Sequence, residues 1–255
     1  MLYELYQFLT TPCTRPVKDV GYLREMIGMA ARRKRCRAAW APHMDQCKGW
    51  IVQAMEACDK REKVVVLGSG LLNDVPLAEL SQGFGQVVLI DILHMPLVRN
   101  AVKAMANVTL DERDICGIVD HLYTHQTFSS PDSPDIPFQG ADLVISLNIA
   151  SQLPVLPREY ATKHNIALGA DMAAQLISSH LEALVESTAH VCLITEIEQK
   201  LCQSGQVIEA TDALAGVVIP DSLRGRSACW DWRYAPHPER HPKYDMVYRV
   251  EGLFR

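Results

Sequence analysis

Lys63-Val64-Val65-Val66-Leu67-Gly68-Ser69-Gly70-Leu71-Leu72 is the stretch on which the fold turns. Residues 64–67 form a short, unbroken apolar run rich in β-branched side chains, the composition of a strand buried on both faces of a parallel sheet. Gly68 and Gly70 then permit a tight turn and let a ligand approach the backbone closely. Similar apolar runs recur at 87–90, 108–110, 143–147 and 191–194, with helical patterns between most of them at about 72–81, 95–105 and 171–187. This alternation predicts an α/β fold: a doubly wound, mostly parallel sheet with right-handed crossovers.

On the N-terminal side the chain reads as helical to about residue 59, with Leu23, Ile27, Ala30 and Ala31 at helical spacing. Pro42 is expected to end one helix, and a second should run from about Asp45 to Cys58. The expected organisation is an N-terminal helical cap over 1–60 and a sheet domain over 61–255. On the C-terminal side, 227–234 and 245–254 are β-prone and flank the proline-rich segment 235–243, so an antiparallel hairpin with a long loop should close the sheet. The Ser/Pro/Asp-rich stretch within 128–140 reads as a surface loop.

Composition narrows the class. A 255-residue chain that is 48% hydrophobic and 22% charged, with a net charge of -5, is not disordered as its main state. No apolar run approaches the roughly 20 residues of a membrane-spanning helix. Glu4 sits where a signal peptide would carry base. A soluble, cytoplasmic protein with no membrane partner is expected. Eight cysteines, spread over a chain long enough to build a core, suggest reduced thiols rather than a disulfide framework. Cys36, Cys47 and Cys58 recur at intervals of eleven, which would share one helix face were Pro42 not between them. His121 and His125 have zinc-compatible spacing, but no glutamate follows the first as a metallopeptidase requires, and no metal is assigned.

Charge is distributed unevenly. From Arg15 to Arg37 eight basic residues face two acids, so this segment is +6 and the remainder -11. A solvated helix face, a pocket for an anionic substrate and a nucleic-acid site all fit such a segment. Its shortness, its few aromatic residues and the acidity of the whole chain do not favour nucleic acid.

Ligands of an open parallel sheet bind beyond the carboxyl ends of its strands. Four such ends are polar and fall in order. The first is the glycine turn, Gly68-Ser69-Gly70. The second is Asp91 with Ile92, where the acid, twenty-one residues after Gly70, can accept hydrogen bonds from both ribose hydroxyls of an adenosine ligand, or cap the next helix. Asp114 with Ile115 forms the third, suited to an adenine amino group, and Asn148 ends the fourth. A dinucleotide fingerprint would need a third glycine where Asn73 stands. S-adenosylmethionine has no pyrophosphate, and its turn tolerates that change.

With these residues in place, the span from about 63 to 255 resembles a class I S-adenosylmethionine-dependent methyltransferase. The likeness rests on Val66-Leu67-Gly68-Ser69-Gly70, Leu89-Ile90-Asp91, Glu112-Arg113-Asp114-Ile115 and the run 142–148. The phrases Ala39-Trp40-Ala41-Pro42-His43, 148–154 and Trp230-Asp231-Trp232 are similar to a bacterial subgroup of that family. The sequence departs from the usual motif in having Val66 where an acid commonly stands and Leu72 where a third glycine is frequent. The resemblance implies a seven-stranded Rossmann-like methyltransferase fold and S-adenosylmethionine as cofactor, held by Gly68, Ser69, Gly70, Asp91, Ile92, Asp114, Ile115 and Asn148. It also implies in-line transfer to an acceptor, expected here to be a small molecule. The Gly-Ser-Gly-Leu-Leu turn is similar as well to nicotianamine-synthase-like enzymes, which transfer the aminocarboxypropyl arm. A non-catalytic binding module on the same fold is a further reading.

Methyl transfer needs no general acid, because the leaving group is a neutral thioether, so positioning dominates. Asn148 and Gln152 are candidates to position the acceptor. His43 is the candidate base or acceptor contact, with His237 and Glu239 in the hairpin loop as further contacts. Trp230 and Trp232 suit either a sulfonium, through an aromatic face, or cross-strand packing.

Overall fold

The computed structural model describes residues 2–128 and 138–255, so the loop expected at 128–140 lies mostly outside the described residues. Four helices open the chain: α1 (Leu2–Thr10), α2 (Arg15–Val20), α3 (Tyr22–Arg35) and α4 (Arg37–Glu56). Strands and helices then alternate as β1 (Lys63–Leu67), α5 (Leu77–Gly83), β2 (Gln86–Asp91), α6 (Pro96–Val102), β3 (Val108–Glu112), α7 (Val119–His125) and β4 (Leu143–Leu147). They are followed by α8 (Val155–His164), α9 (Met172–Glu186), β5 (His190–Gln203), β6 (Gln206–Asp212), β7 (Arg226–Ala235) and β8 (Asp245–Phe254).

The main path of the sheet runs β3-β2-β1-β4-β5-β8-β7. β1 is central and parallel to both β2 and β4, whereas β8 is antiparallel to β5 and β7. This is the mostly parallel, doubly wound arrangement with an antiparallel closing hairpin expected for a Rossmann-like methyltransferase fold. Successive crossovers change direction between β1 and β4, and the switch point opens there.

The period of two along β1 divides the core. Val64 and Val66 pack with α4 and α5 side chains such as Trp40, Ile51 and Leu80, while Val65 and Leu67 face Ile177 and Leu181 of α9 across the sheet. Each of these strand residues is fully buried, worth about 1.5–3 kcal/mol per side chain in transfer terms. A third cluster joins Leu23 and Ile27 of α3 to Leu93, Met95 and Val98, closing the end of the sheet beside β2.

Three sequence expectations are corrected. Pro42 does not break the helix: α4 is continuous, and the kink falls at Cys36 (φ -99°, ψ 20°). Pro42 itself is exposed, but Trp40 and His43 beside it are 1% exposed, and their burial against the sheet offsets the lost backbone hydrogen bond. α4 lies in the core shared with β1 and β4. The cysteines at intervals of eleven are all buried in that core.

Second, the sheet has eight strands, not seven, since β5 turns back through Ser204-Gly205, both at positive φ, into β6. β6 is exposed along its whole length, so its sequence carries no apolar face. Third, the helix expected from about residue 72 begins only at Leu77. Gly68, Gly70 and Leu72 take φ values of +74°, +51° and +59°, and left-handed residues cannot start a right-handed helix.

Pro42→Ala restores a backbone donor at an exposed helix position and should stabilise the protein by about 1–2 kcal/mol, after allowing for the looser unfolded chain. Urea unfolding of the two proteins measures the difference, and an unchanged or lower midpoint would contradict the account of α4.

Candidate functional site

The glycine turn is held by sterics and by one carboxylate. A Cβ on Gly68 would lie 2.7 Å from the Leu147 carbonyl oxygen and 2.9 Å from the Ile149 Cβ, so only glycine lets the end of β1 reach the end of β4. Asp91 Oδ2 accepts the Gly70 N–H at 2.7 Å, and Oδ1 accepts the Ile92 N–H at 2.8 Å. Burial pushes the Asp91 carboxyl up to about 6, against the opposing effect of these backbone donors. A carboxylate offers about four lone-pair sites, so both oxygens retain capacity toward hydroxyl donors. The Ser69 side chain is fully buried with its Oγ 3.3 Å from His94 Nε2, leaving its main chain to the turn.

Asp114 is engaged locally. Its Oδ1 accepts the Cys116 N–H at 3.0 Å and its Oδ2 the Val119 N–H at 2.8 Å, holding the start of α7. Ile115 is buried and Ile92 half-buried.

A cavity of about 580 Å³ opens at these strand ends, within the roughly 300–1,000 Å³ of small-molecule sites. Gly68, Gly70, Asp91, Ile92, Asp114 and Ile115 line one part of it, and His43, Asn148 and Gln152 another. Of the residues the sequence singled out, these and Trp232 line one cavity, whereas Ser69, Trp230, His237 and Glu239 do not.

His43 is fixed on all sides. Trp232 stacks on its ring at 4.0 Å and 4°, and the Trp230 indole N–H donates to Nδ1 at 3.0 Å. Indole can only donate, so Nδ1 accepts and the neutral ring carries its proton on Nε2, 3.5 Å from Cys47 Sγ. Burial lowers the His43 pKa to about 3. His43, Cys47 and Asp74 bring potential ligand atoms within 4.8 Å of one another. With Nδ1 occupied and Nε2 protonated, however, the imidazole has no free lone pair for a metal. Asn148, at φ +50°, donates from Nδ2 to Asp74 Oδ2 at 2.8 Å. Gln152 Nε2 donates to Ser151 Oγ at 3.1 Å.

The cavity lining includes acids that the sequence reading did not assign to the site, among them Asp74 and Glu196. Asp74 follows the turn, and Glu196 stands two residues beyond Ile194, the last β5 residue paired with β4. Ser151 Oγ donates to Glu196 Oε2. Burial raises both carboxyls, that of Glu196 to about 7. The signal for Glu196 was available as a fifth strand end, Thr195-Glu196, directly after the apolar run 191–194.

No basic residue of the segment 15–37 is among those lining this cavity. Glu239 of the hairpin loop takes Arg35 through both carboxylate oxygens, at 3.2 and 2.9 Å from Nε, and lies 3.7 Å from Arg32 Nε. His237 pairs with Asp245 Oδ1 at 3.1 Å, and neither it nor Glu239 lines the cavity. His121 and His125 stack on each other at 4.5 Å on α7. Among the described residues no helix is long and apolar enough to cross a membrane.

No family model matches the sequence, and no curated protein matches it. Among solved structures, the chain is similar to a DhpI–S-adenosylhomocysteine complex at 15% identity and TM-score 0.40, over 89% of this chain and 93% of that one. It is also similar to the N-methyltransferase NodS from Bradyrhizobium japonicum WM9, in complex with S-adenosylhomocysteine, at 10% identity and TM-score 0.41, over 82% and 86% of the two chains. A Leishmania major S-adenosylmethionine-dependent methyltransferase aligns at 10% identity and TM-score 0.39, over 99% of this chain and 81% of that one.

Proposed function

We propose that the chain is an S-adenosylmethionine-dependent methyltransferase acting on a small molecule. The observation that carries this reading is the Gly68–Gly70 turn clamped by Asp91 at the switch point between β1 and β4, opening onto the cavity. The residues suit the cofactor. Asp91 has acceptor capacity for ribose hydroxyls, Ile92 and Ile115 offer apolar surface for adenine, and Asp74 and Asp91 are carboxylates in a cavity that would receive a cationic sulfonium. When bound, S-adenosylmethionine supplies an electrophilic methyl group.

The chain's own work is positioning. Gly68 and Gly70 leave room for close approach of the ligand to the backbone, and Asp91 orients the ribose. Asp114, already bound to the N–H groups of Cys116 and Val119, presents a fixed carboxylate edge to the adenine. Asn148, held by Asp74, and Gln152, held by Ser151, set the acceptor side. Well-oriented reactants gain up to roughly 7–11 kcal/mol in effective molarity. His43 acts as a positioning group for Trp230 and Trp232 and not as the base, because its accepting nitrogen is already occupied.

Asp91→Ala should weaken S-adenosylhomocysteine binding about tenfold or more in calorimetry, the loss of hydrogen bonds to a charged group. Unchanged affinity in the folded variant would remove the ribose assignment. Product analysis is the second test: S-adenosylhomocysteine is the expected product, and methylthioadenosine would show aminocarboxypropyl transfer instead. Imidazole nitrogen shifts in NMR should show His43 neutral and Nε2-protonated from pH 8 down to about pH 4. Titration near pH 6.5 would restore it as a candidate base.

A further inference from the structure

Glu196 sits where the sheet changes character. β5 pairs in parallel with β4 only as far as Ile194, while its antiparallel pairing with β8 runs on from Cys192 to Cys202 with a register shift between Glu196 and Glu198. Such a bulge re-aims side chains, and Glu196 lines the cavity while being 1% exposed. Among the described residues neither Glu196 nor Asp74 has a basic side chain within ion-pair distance. A buried carboxylate without a cation is costly and is stabilised when one is brought to it. Of the arginines that line the cavity, Arg158 and Arg240 are exposed and Arg113 pairs with Asp111, while Arg32 and Arg35 of α3 are bound by Glu239; Lys48 and Arg33 bear on Asp74 from beyond ion-pair distance, and Glu196 has no such cation. The cavity is also walled by Trp232 and Tyr248, and aromatic faces attract cations; the Tyr234 ring beside them is already taken by Arg32 and Trp40.

Resting on the methyltransferase reading above, we propose that the acceptor is an amine, drawn in as its ammonium ion by Glu196 and Asp74 against this aromatic wall, and that Glu196 is the catalytic base. The Glu196 carboxylate takes one proton from R–NH3+, giving the carboxylic acid and R–NH2. The freed nitrogen lone pair forms the new N–CH3 bond as the methyl–sulfur bond breaks. The electron pair of that bond goes to sulfur, leaving neutral S-adenosylhomocysteine and R–NH2–CH3+. The proton on Glu196 returns to solvent after product leaves. A carboxylate acceptor would meet like charge, and an alcohol would leave both acids without a cation.

The groups that bear on the Glu196 proton come from several elements. Ser151 and Gln152 donate from the turn after β4, Asp74 contributes its charge from the β1–α5 segment, and Tyr234, Tyr248 and Cys47 lie within its electrostatic reach. Glu196 is held up to about 7 by burial, so it is largely protonated at pH 6.5. An ammonium beside it favours the carboxylate, and binding below pH 7 therefore releases a proton.

The test uses 2-phenylethylamine, 2-phenylethanol and phenylacetate, titrated into the full chain saturated with S-adenosylhomocysteine at pH 6.5. The amine should bind about tenfold more tightly than the alcohol, with the acid weakest. Its binding enthalpy should differ between phosphate and Tris buffers by the ionisation heat of a released proton. Glu196→Gln should abolish both the preference and the buffer dependence while keeping S-adenosylhomocysteine affinity and thermal midpoint. Asp74→Asn should reduce the preference but keep the buffer dependence. Equal binding of the three probes, no binding by any, preference for the acid, or a Glu196→Gln protein that still releases the proton would each overturn the proposal. Failure of S-adenosylhomocysteine to bind would instead count against the cofactor reading, and the probe series is then read on the free chain with the same outcomes.

Discussion

The Asp91 carboxylate joins the ends of the two central strands by accepting the N–H of Gly70 from the β1 turn and the N–H of Ile92 from its own strand end. The turn it holds has Gly68, Gly70 and Leu72 at positive φ, a conformation with no repeating backbone hydrogen bonds of its own. The carboxylate supplies an acceptor that regular structure does not, and its burial is the cost, visible in the raised pKa. Leu71 and Leu72, carried by this turn, pack against Leu23 and Ile27 of α3, so the covering helix is seated on the same device. The ligand-facing backbone, the end of β2 and the position of α3 all follow from it.

The His43 side of the cavity is assembled from segments far apart in the chain. α4 brings Trp40 and His43 to the face of the β7–β8 hairpin, where the Trp40 indole N–H donates to the Tyr234 carbonyl at 2.7 Å and Trp230 donates to His43. Gly252 of β8 makes this possible, since a Cβ there would lie 2.9 Å from both the Trp230 ring and the Trp50 ring. Arg35 and Glu239 add a link between α3 and the hairpin loop. An exposed pair of that kind is worth at most about 1 kcal/mol, and the buried aromatic contacts dominate. α4 thus has two roles at once, as a layer of the core and as a wall of the cavity.

Much of the fold was legible because its strands are buried on both faces. Runs such as 64–67 and 143–147 are apolar throughout, a pattern local enough to read without knowing the neighbours. β6 was not legible for the opposite reason: all its residues are exposed, and it pairs with β5 through the backbone. At Pro42 the local rule was outweighed, because two large buried side chains within one turn of it contribute more than the hydrogen bond it removes. Leu72 shows the same override at the turn, where packing holds a non-glycine residue at φ +59°.

The sequence by itself determined the parallel sheet, the glycine turn, the acid twenty-one residues beyond it and the closing hairpin. These rest on period, turn chemistry and strand order, all of which are properties of neighbouring residues. Only the tertiary structure decided the chemistry of the cavity. It set the Trp230 indole N–H against His43 Nδ1, it bound Arg35 and Arg32 of α3 to Glu239, and it buried Glu196 with no cation among the described residues within ion-pair distance. A side chain's charge and free lone pairs depend on which groups packing sets against it, and those partners lie scores of residues away along the chain.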